Sequence, residues 1–305
     1  MPLWIRGFPY AIFHILLYSA VCSTFVPSSQ ANDNLAGTTT AGFLKIGTHA
    51  QAVGLGEAVT ALADGISFVG YNPAAVQLRG MALTATHTAV VEGVNLEEVA
   101  LGIPFGKDGG MFIRGNGILF DKTDRTDENG NKTGTFDASA FSAGVGFYAH
   151  LGGLSLGIFG KSIQQKIDVY KSSTLAGDIG IRYLTPIPGI SIGVSVLNLG
   201  RPAKFISQED ELPRAIRAGI GYDNSFLKLA VDGVQYIDQK SFLASGAEIA
   251  LFGGLRFRAG YSANSELNSP FKAGIGLRFS SLEFNYAYNP GDDFGAAHRV
   301  SLTIR

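Results

Sequence analysis

The sequence is poor in cysteine, in charge and in uninterrupted apolar runs. Its one cysteine is Cys22, so any form of the chain that loses its first thirty or so residues has no disulfide, no thiol nucleophile and no cysteine metal ligand. Charged residues make up 16% of the chain, against roughly a quarter in soluble domains. They nearly cancel, 24 Lys+Arg against 25 Asp+Glu, which argues against a nucleic-acid partner. Two stretches long enough to test as membrane helices lack Asp, Glu, Lys and Arg, at 138–160 and 183–200. The first carries six glycines and His150, and the second carries Pro186 and Pro188. Neither suits a continuous helix. What the chain has in excess is glycine, 40 of 305 residues, about twice the usual share.

The N-terminus reads as an export leader. Arg6 supplies a cation, AIFHILLYSAVCSTFV an apolar run, and SSQA a small-x-small cleavage site ending at Ala31. A lipid-modified Cys22 is the alternative, but the preceding Ser19-Ala20-Val21 lacks the usual leucine and has Val21 in place of the small residue just before the cysteine. Residues 1–31 are therefore expected to be a signal peptide.

Beyond it the governing period is two. In LAGDIGIRY, residues 175–183, Leu175, Ile179, Ile181 and Tyr183 fall on one face and Asp178 and Arg182 on the other. FKAGIGLRF repeats the pattern with Phe271, Ile275 and Leu277 against Lys272 and Arg278, and so do Ile216 and Ile220 against Arg217, and Val300, Leu302 and Ile304 against Arg299. A soluble β-sandwich alternates in the same way, with its apolar faces packed together. Connection length separates the two. Fourteen strands between residues 81 and 305 are joined alternately by short turns (LGG, LTPIPG, DNS, FGG, SS) and longer segments (DKTDRTDENGNKTG, QQKIDVYKSS, LGRPAKFISQEDELP, SANSELNSP, NPGDDFGAA). That order is the habit of a chain threading an outer membrane, with short periplasmic turns and longer outer loops. The fold class expected is all-β: a transmembrane antiparallel β-barrel of about 14 strands over 81–305, preceded by a hatch or plug over 32–80 containing short helices. Its apolar face meets lipid. Charges at Ile179, Ile275 or Leu302 should then block assembly, while the same change at the inward glycines Gly180 and Gly276 should be milder.

The tripeptide Tyr-Asn-Pro occurs twice. In YNPGDD, residues 288–293, proline and glycine supply turn chemistry and the expectation is an outer turn. In YNPAAVQL, Asn72 is a good N-cap, Pro73 suits the first helical position and Ala74 continues it, so a short helix is expected. The residues before it are small and closely spaced, too few in large apolar groups for a core of their own, and are expected to pack in or under the barrel.

The stretch GFLKIGTHAQAVGLGEAVTALADGISFVGYNPAAVQL, with SVLNLGRPAKF, LPRAIRAGIGY, GAEIALFGGLRFRAGY and YAYNPGDDFGAAHRVSL in that order, resembles the PorV/PorQ proteins, outer-membrane barrels related to the FadL type. Gln51 and Leu55 depart from the residues usual there, and the chain ends in Arg305 in place of the aromatic residue common at barrel C-termini. The resemblance implies an outer-membrane location in a Gram-negative-type bacterium, and one of two roles. The first is type IX protein secretion, with secreted proteins or secretion-system components as partners beside the lipid bilayer. The alternative is FadL-like transport of a hydrophobic small molecule across the outer membrane.

The inward face carries Asp178, Arg182, Arg217, Asp232, Glu248, Arg256, Arg258, Arg278, Glu283 and Arg299. Both signs are present, so a ladder of ion pairs across strands and to the hatch is expected, not a pore selective for one sign. This face reads as charged or glycine and lacks an obvious apolar pocket. The histidines left after cleavage, His49, His87, His150 and His298, form no evident Ser-His-Asp set, and the acidic loop from Asp121 to Asn131 lacks EF-hand spacing. No enzyme, metal or cofactor is expected.

Overall fold

The computed structural model describes residues 37–205, 208–263, 269–291 and 295–305. The expected leader and the cleavage site at Ala31 lie outside them. Among the described residues no helix is long and apolar enough to cross a membrane. The chain crosses with strands.

The first eight strands are β1 (Ala82–Val91), β2 (Val94–Pro104), β3 (Gly109–Phe120), β4 (Thr123–Thr126), β5 (Lys132–Phe136), β6 (Ala138–Leu151), β7 (Leu154–Ile167) and β8 (Tyr170–Leu184). Then come β9 (Ile190–Gly200), β10 (Ala203–Phe205), β11 (Gln208–Asp210), β12 (Ala215–Asp223) and β13 (Leu227–Tyr236). The last five are β14 (Phe242–Ala250), β15 (Leu255–Ser262), β16 (Phe271–Phe279), β17 (Leu282–Asn289) and β18 (Ala297–Ile304). Fourteen of them form one closed barrel, with β4–β5 and β10–β11 as separate two-stranded ribbons in two of the connections. Consecutive barrel strands pair antiparallel, and β1 closes on β18 with Leu83 opposite Ile304. Closure pairs the backbone of every wall strand, which is what a lipid environment demands.

The faces divide as the alternation predicts. Ile179 (51% exposed) and Leu302 (47%) point outward, whereas Asp178 and Arg217 are buried inside. A closed fourteen-strand sheet with an apolar outer face is an outer-membrane protein. The connections at 105–108, 152–153, 185–189, 224–226, 251–254 and 280–281 share the end at which β1 begins and β18 finishes. This end is the periplasmic one.

Two local expectations fail. QQKIDVYKSS is not a loop: β7 and β8 run on to Ile167 and from Tyr170, joined by the two-residue turn at Asp168, whose φ is 56°, and Val169. Strands that rise above the bilayer no longer need an apolar outer face, so Gln164 and Lys166 do not end them. Nor does a helix follow Asn72. Ala74 N donates to the Asn72 side chain (2.9 Å) and Ala75 N to its carbonyl (2.9 Å), and the chain then turns away. The helical pieces lie earlier, a 3₁₀ turn over Gly42–Lys45 and the five-residue α1 (Ala50–Gly54). In the second copy, Tyr288 and Asn289 end strand β17 and are not part of the turn. Asp292 and Asp293 lie outside the described residues.

Candidate functional site: the barrel lumen and its outer mouth

Residues 41–76 lie against the inner face of the closed sheet, and inward side chains of the wall hydrogen-bond to their backbone. Arg299 Nε donates to Gly47 O (2.9 Å), Arg217 to Glu57 O (2.5 Å), Arg182 Nε to Ala61 O (2.5 Å), Ser191 to the same carbonyl (2.7 Å) and Ser195 to Tyr71 O (2.7 Å). A segment with so little regular structure leaves many backbone groups without local partners, and burial makes each one costly unless the wall supplies it.

The ten inward charged residues all lie on this inner face. Arg217 and Asp232 pair at 3.3 Å, and Asp232 also accepts from Thr60 N and Oγ1. Glu248 accepts from Arg258 (2.6 Å) and Arg256 (3.4 Å), and Arg278 pairs with Glu283 (2.5 Å). Asp178 takes Lys161 Nζ at 2.8 Å and Asn198 N at 2.7 Å, where the β8–β9 register shifts. Arg182 and Arg299 serve the segment's carbonyls instead of a carboxylate.

Partners unforeseen in the sequence complete the set. Glu98 pairs with Arg114 (2.5 Å), Lys272 pairs with Glu57, and Asp64 gathers Lys228, Arg278 and Arg305. One signal was available: Glu57 and Asp64 are the only acids between residues 37 and 80, so a segment inside an arginine-rich wall had only these two to offer. Burial alone would raise the Asp64 carboxyl, but Lys228, Arg305 and Arg278 hold it well below its ordinary range. His49 caps α1 by accepting from Gln51 N and lies against Thr84 Oγ1 (3.3 Å). Its burial pushes the imidazole down to about 4, so it is neutral near pH 7.

Asn72, Pro73 and Ala74 form a turn pressed against the wall. Asn72 Nδ2 donates to Thr60 O (2.7 Å) within the segment and to Ile181 O (3.2 Å) on β8. A Cβ at Gly180 would overlap the Asn72 carboxamide oxygen, and one at Gly157 would overlap the Pro73 carbonyl. These glycines admit the segment's backbone to the wall, so the inward glycines are not tolerant positions. Gly276 is likewise crowded by Asn285 and the Arg258 guanidinium.

The other histidines stand on different parts of the wall. His87 faces outward and contacts Glu97 (2.7 Å), His298 contacts Tyr286 Oη (2.8 Å), and His150 contacts Ser155 Oγ (2.9 Å) near the periplasmic end. The last pair escaped notice in the sequence because the β6–β7 turn brings together residues of opposite parity. Among the described residues no cluster of His, Asp and Glu is placed to hold a metal ion.

The outer end of the lumen differs from the charged middle. Leu96, Ile118, Ala140 and Ile163, from the inner faces of β2, β3, β6 and β7, enclose Phe43 with Leu212. Above this cup the overhanging strands continue the same face with Phe120 (41% exposed), Ile167 (49%) and Tyr170 (49%). The inner surface therefore carries an apolar cluster at this end, which Phe43 and Leu212 fill, beside the charged strands. Its wall residues are scattered over five strands, one or two per strand, beyond the reach of local periodicity.

No family model matches the sequence and no curated protein matches it. Solved structures do. The Pseudomonas putida toluene transporter TodX superposes with a TM-score of 0.58 at 13% identity, over 83% of this chain and 96% of that one. The Ralstonia pickettii toluene transporter TbuX gives 0.54 at 12%, over 85% and 97%. A Pseudomonas aeruginosa FadL homologue gives 0.58 at 10%, over 85% and 98%. At such identities the likeness is one of fold, and the fold is that of FadL-like barrels.

Proposed function

We propose that the protein takes a hydrophobic small molecule from the cell exterior into its lumen and conducts it across the outer membrane. The observation that carries this reading is the exposed set Phe120, Ile167 and Tyr170 on the inner face, above a buried apolar cluster of Leu96, Ile118 and Ile163 that Phe43 and Leu212 fill. Exposed large apolar groups on a concave surface favour an apolar ligand. The toluene transporters of like fold support the same reading. A role in type IX secretion rests on the PorV/PorQ resemblance alone, and no feature of the lumen favours it over the conduit.

The test is binding and uptake of an apolar fluorescent probe by the purified full chain and by cells producing it. Ile167→Asp with Tyr170→Ala alters the mouth above the bilayer and should leave barrel assembly intact. Removing two apolar side chains should weaken probe binding by roughly tenfold or more. Unchanged affinity in that variant would sink the conduit reading.

A further inference from the structure

Asp64 lies near the periplasmic end of the lumen, 6% exposed, and is the meeting point of four donors. Its Oδ1 accepts from Arg305 Nη2 (2.7 Å) and Arg278 Nη2 (3.1 Å), and its Oδ2 from Lys228 Nζ (3.0 Å) and Gln51 Nε2 (2.7 Å). The three cations come from β13, β16 and the residue following β18, so one carboxylate ties together separated parts of the wall. Glu283 shares Arg278 and Arg305 (2.5 and 3.0 Å). Gly65, with φ of 59°, follows directly and stacks against the Arg305 guanidinium, where a Cβ would stand 3.1 Å from Cζ. Gly65 O in turn accepts from Gln77 N (2.9 Å), so the end of the segment that leads to β1 is tied to the same point.

The position of these cations sets this attachment apart from the others. Mid-lumen fastenings such as Arg217–Asp232 are sealed from water, with side chains 2% and 0% exposed. At Asp64 the Arg278 and Arg305 side chains keep 30% and 28% of their surface open. A buried carboxylate with several charge-assisted bonds holds strongly, while partly open cations leave it within reach of water and competing ions. Neutralising Asp64 would also leave Arg278 and Arg305 with Glu283 as their counter-ion and Lys228 with Asp223 (3.6 Å).

We propose that Asp64 is the periplasmic clasp of the lumen segment, and that breaking it loosens the segment's periplasmic end around Asp64, Gly65 and Gln77 and lets water past it. This device is separate from capture of an apolar ligand at the outer mouth. The test uses the full chain in liposomes, with swelling in arabinose as the readout and heat-modifiable migration as the check on assembly. Asp64→Asn, close in size but uncharged, should assemble and swell severalfold faster than the wild type, whereas Asp64→Glu should stay close to it. Wild-type swelling for Asp64→Asn, or equal swelling for the two substitutions, overturns the clasp. If Asp64→Asn fails to assemble, Arg305→Gln decides, since it leaves Lys228 and Arg278 in place: faster swelling upholds the clasp and an unchanged rate overturns it. Arabinose is not an apolar ligand, so either result stands apart from the outcome of the uptake assay.

Discussion

Asn72 of the lumen segment occupies the space that a side chain on Gly180 of β8 would need, and its Nδ2 donates to the carbonyl of the next residue, Ile181, at 3.2 Å. Wall and segment are therefore fitted residue to residue. A substitution on either partner should disturb the other.

Asn72→Ala removes hydrogen bonds to Thr60 O, Ile181 O and Ala74 N. Leaving buried partners unsatisfied costs about 1–3 kcal/mol, and the loss should fall on the segment while the closed sheet persists. Gly180→Val should reproduce the effect by pushing Asn72 off the wall, at about 1–3 kcal/mol. Faster entry of small hydrophilic solutes, with unchanged heat-modifiable migration, is the expected result for both. A harmless Gly180→Val would show that the segment does not press on β8.

Lipid-facing charge should act on the barrel itself. Asp or Lys at Ile179, Ile275 or Leu302, all outward and exposed, should cost on the order of 2–4 kcal/mol near the bilayer midplane. The measured outcome is a loss of folded, heat-modifiable protein from outer-membrane fractions. Normal yield from all three would place the outer face elsewhere.

The Arg217–Asp232 pair tests the buried ladder. Arg217→Met strands a carboxylate that is fully buried, and breaking such a pair costs about 3–5 kcal/mol. Adding Asp232→Leu should restore much of the loss, because no charge is then left unpaired. Denaturant midpoints of the single and double variants in detergent provide the comparison, and a double variant no better than the single would assign Arg217's role to its bonds with Glu57 O and Thr60 instead.

His49 makes the segment acid-sensitive. Its folded value is depressed, to about 4, from roughly 6.5 in an unfolded chain. The folded state thus binds fewer protons, and stability present above pH 6.5 is lost as pH falls toward 4, by up to about 3 kcal/mol. Solute entry should rise over that window in the wild type and be flatter in His49→Gln. Asp64 and Glu57, also lowered, add their loss only at more acid pH. An identical pH profile for His49→Gln would remove His49 from the account.

The division of faces was legible in the sequence because it is local: a strand places alternate residues on opposite sides, so Arg217 between Ile216 and Ala218 declares its side without reference to any partner. Strand number followed for the same reason, since turn residues punctuate the alternation. Where a strand leaves the bilayer the cue fails, which is why Gln164 to Ser173 passed for a loop. The presence of Asn72-Pro73 could be seen, but its role could not. Local preference favours a helix start there, whereas contact with Gly180 and Ile181, more than a hundred residues away, makes it a turn.

By itself, then, the chain's alternation, low charge and order of short and long connections determined a lipid-facing barrel and the inward ladder of charges, since these depend on period, composition and spacing. Only the tertiary structure decided which carboxylate meets which cation, that Asp64 gathers Lys228, Arg278 and Arg305, and that Leu96, Ile118 and Ile163 close into one apolar cup. Closing a sheet brings together residues that are distant along the chain, and a pattern of period two carries no information about which strand lies across the lumen.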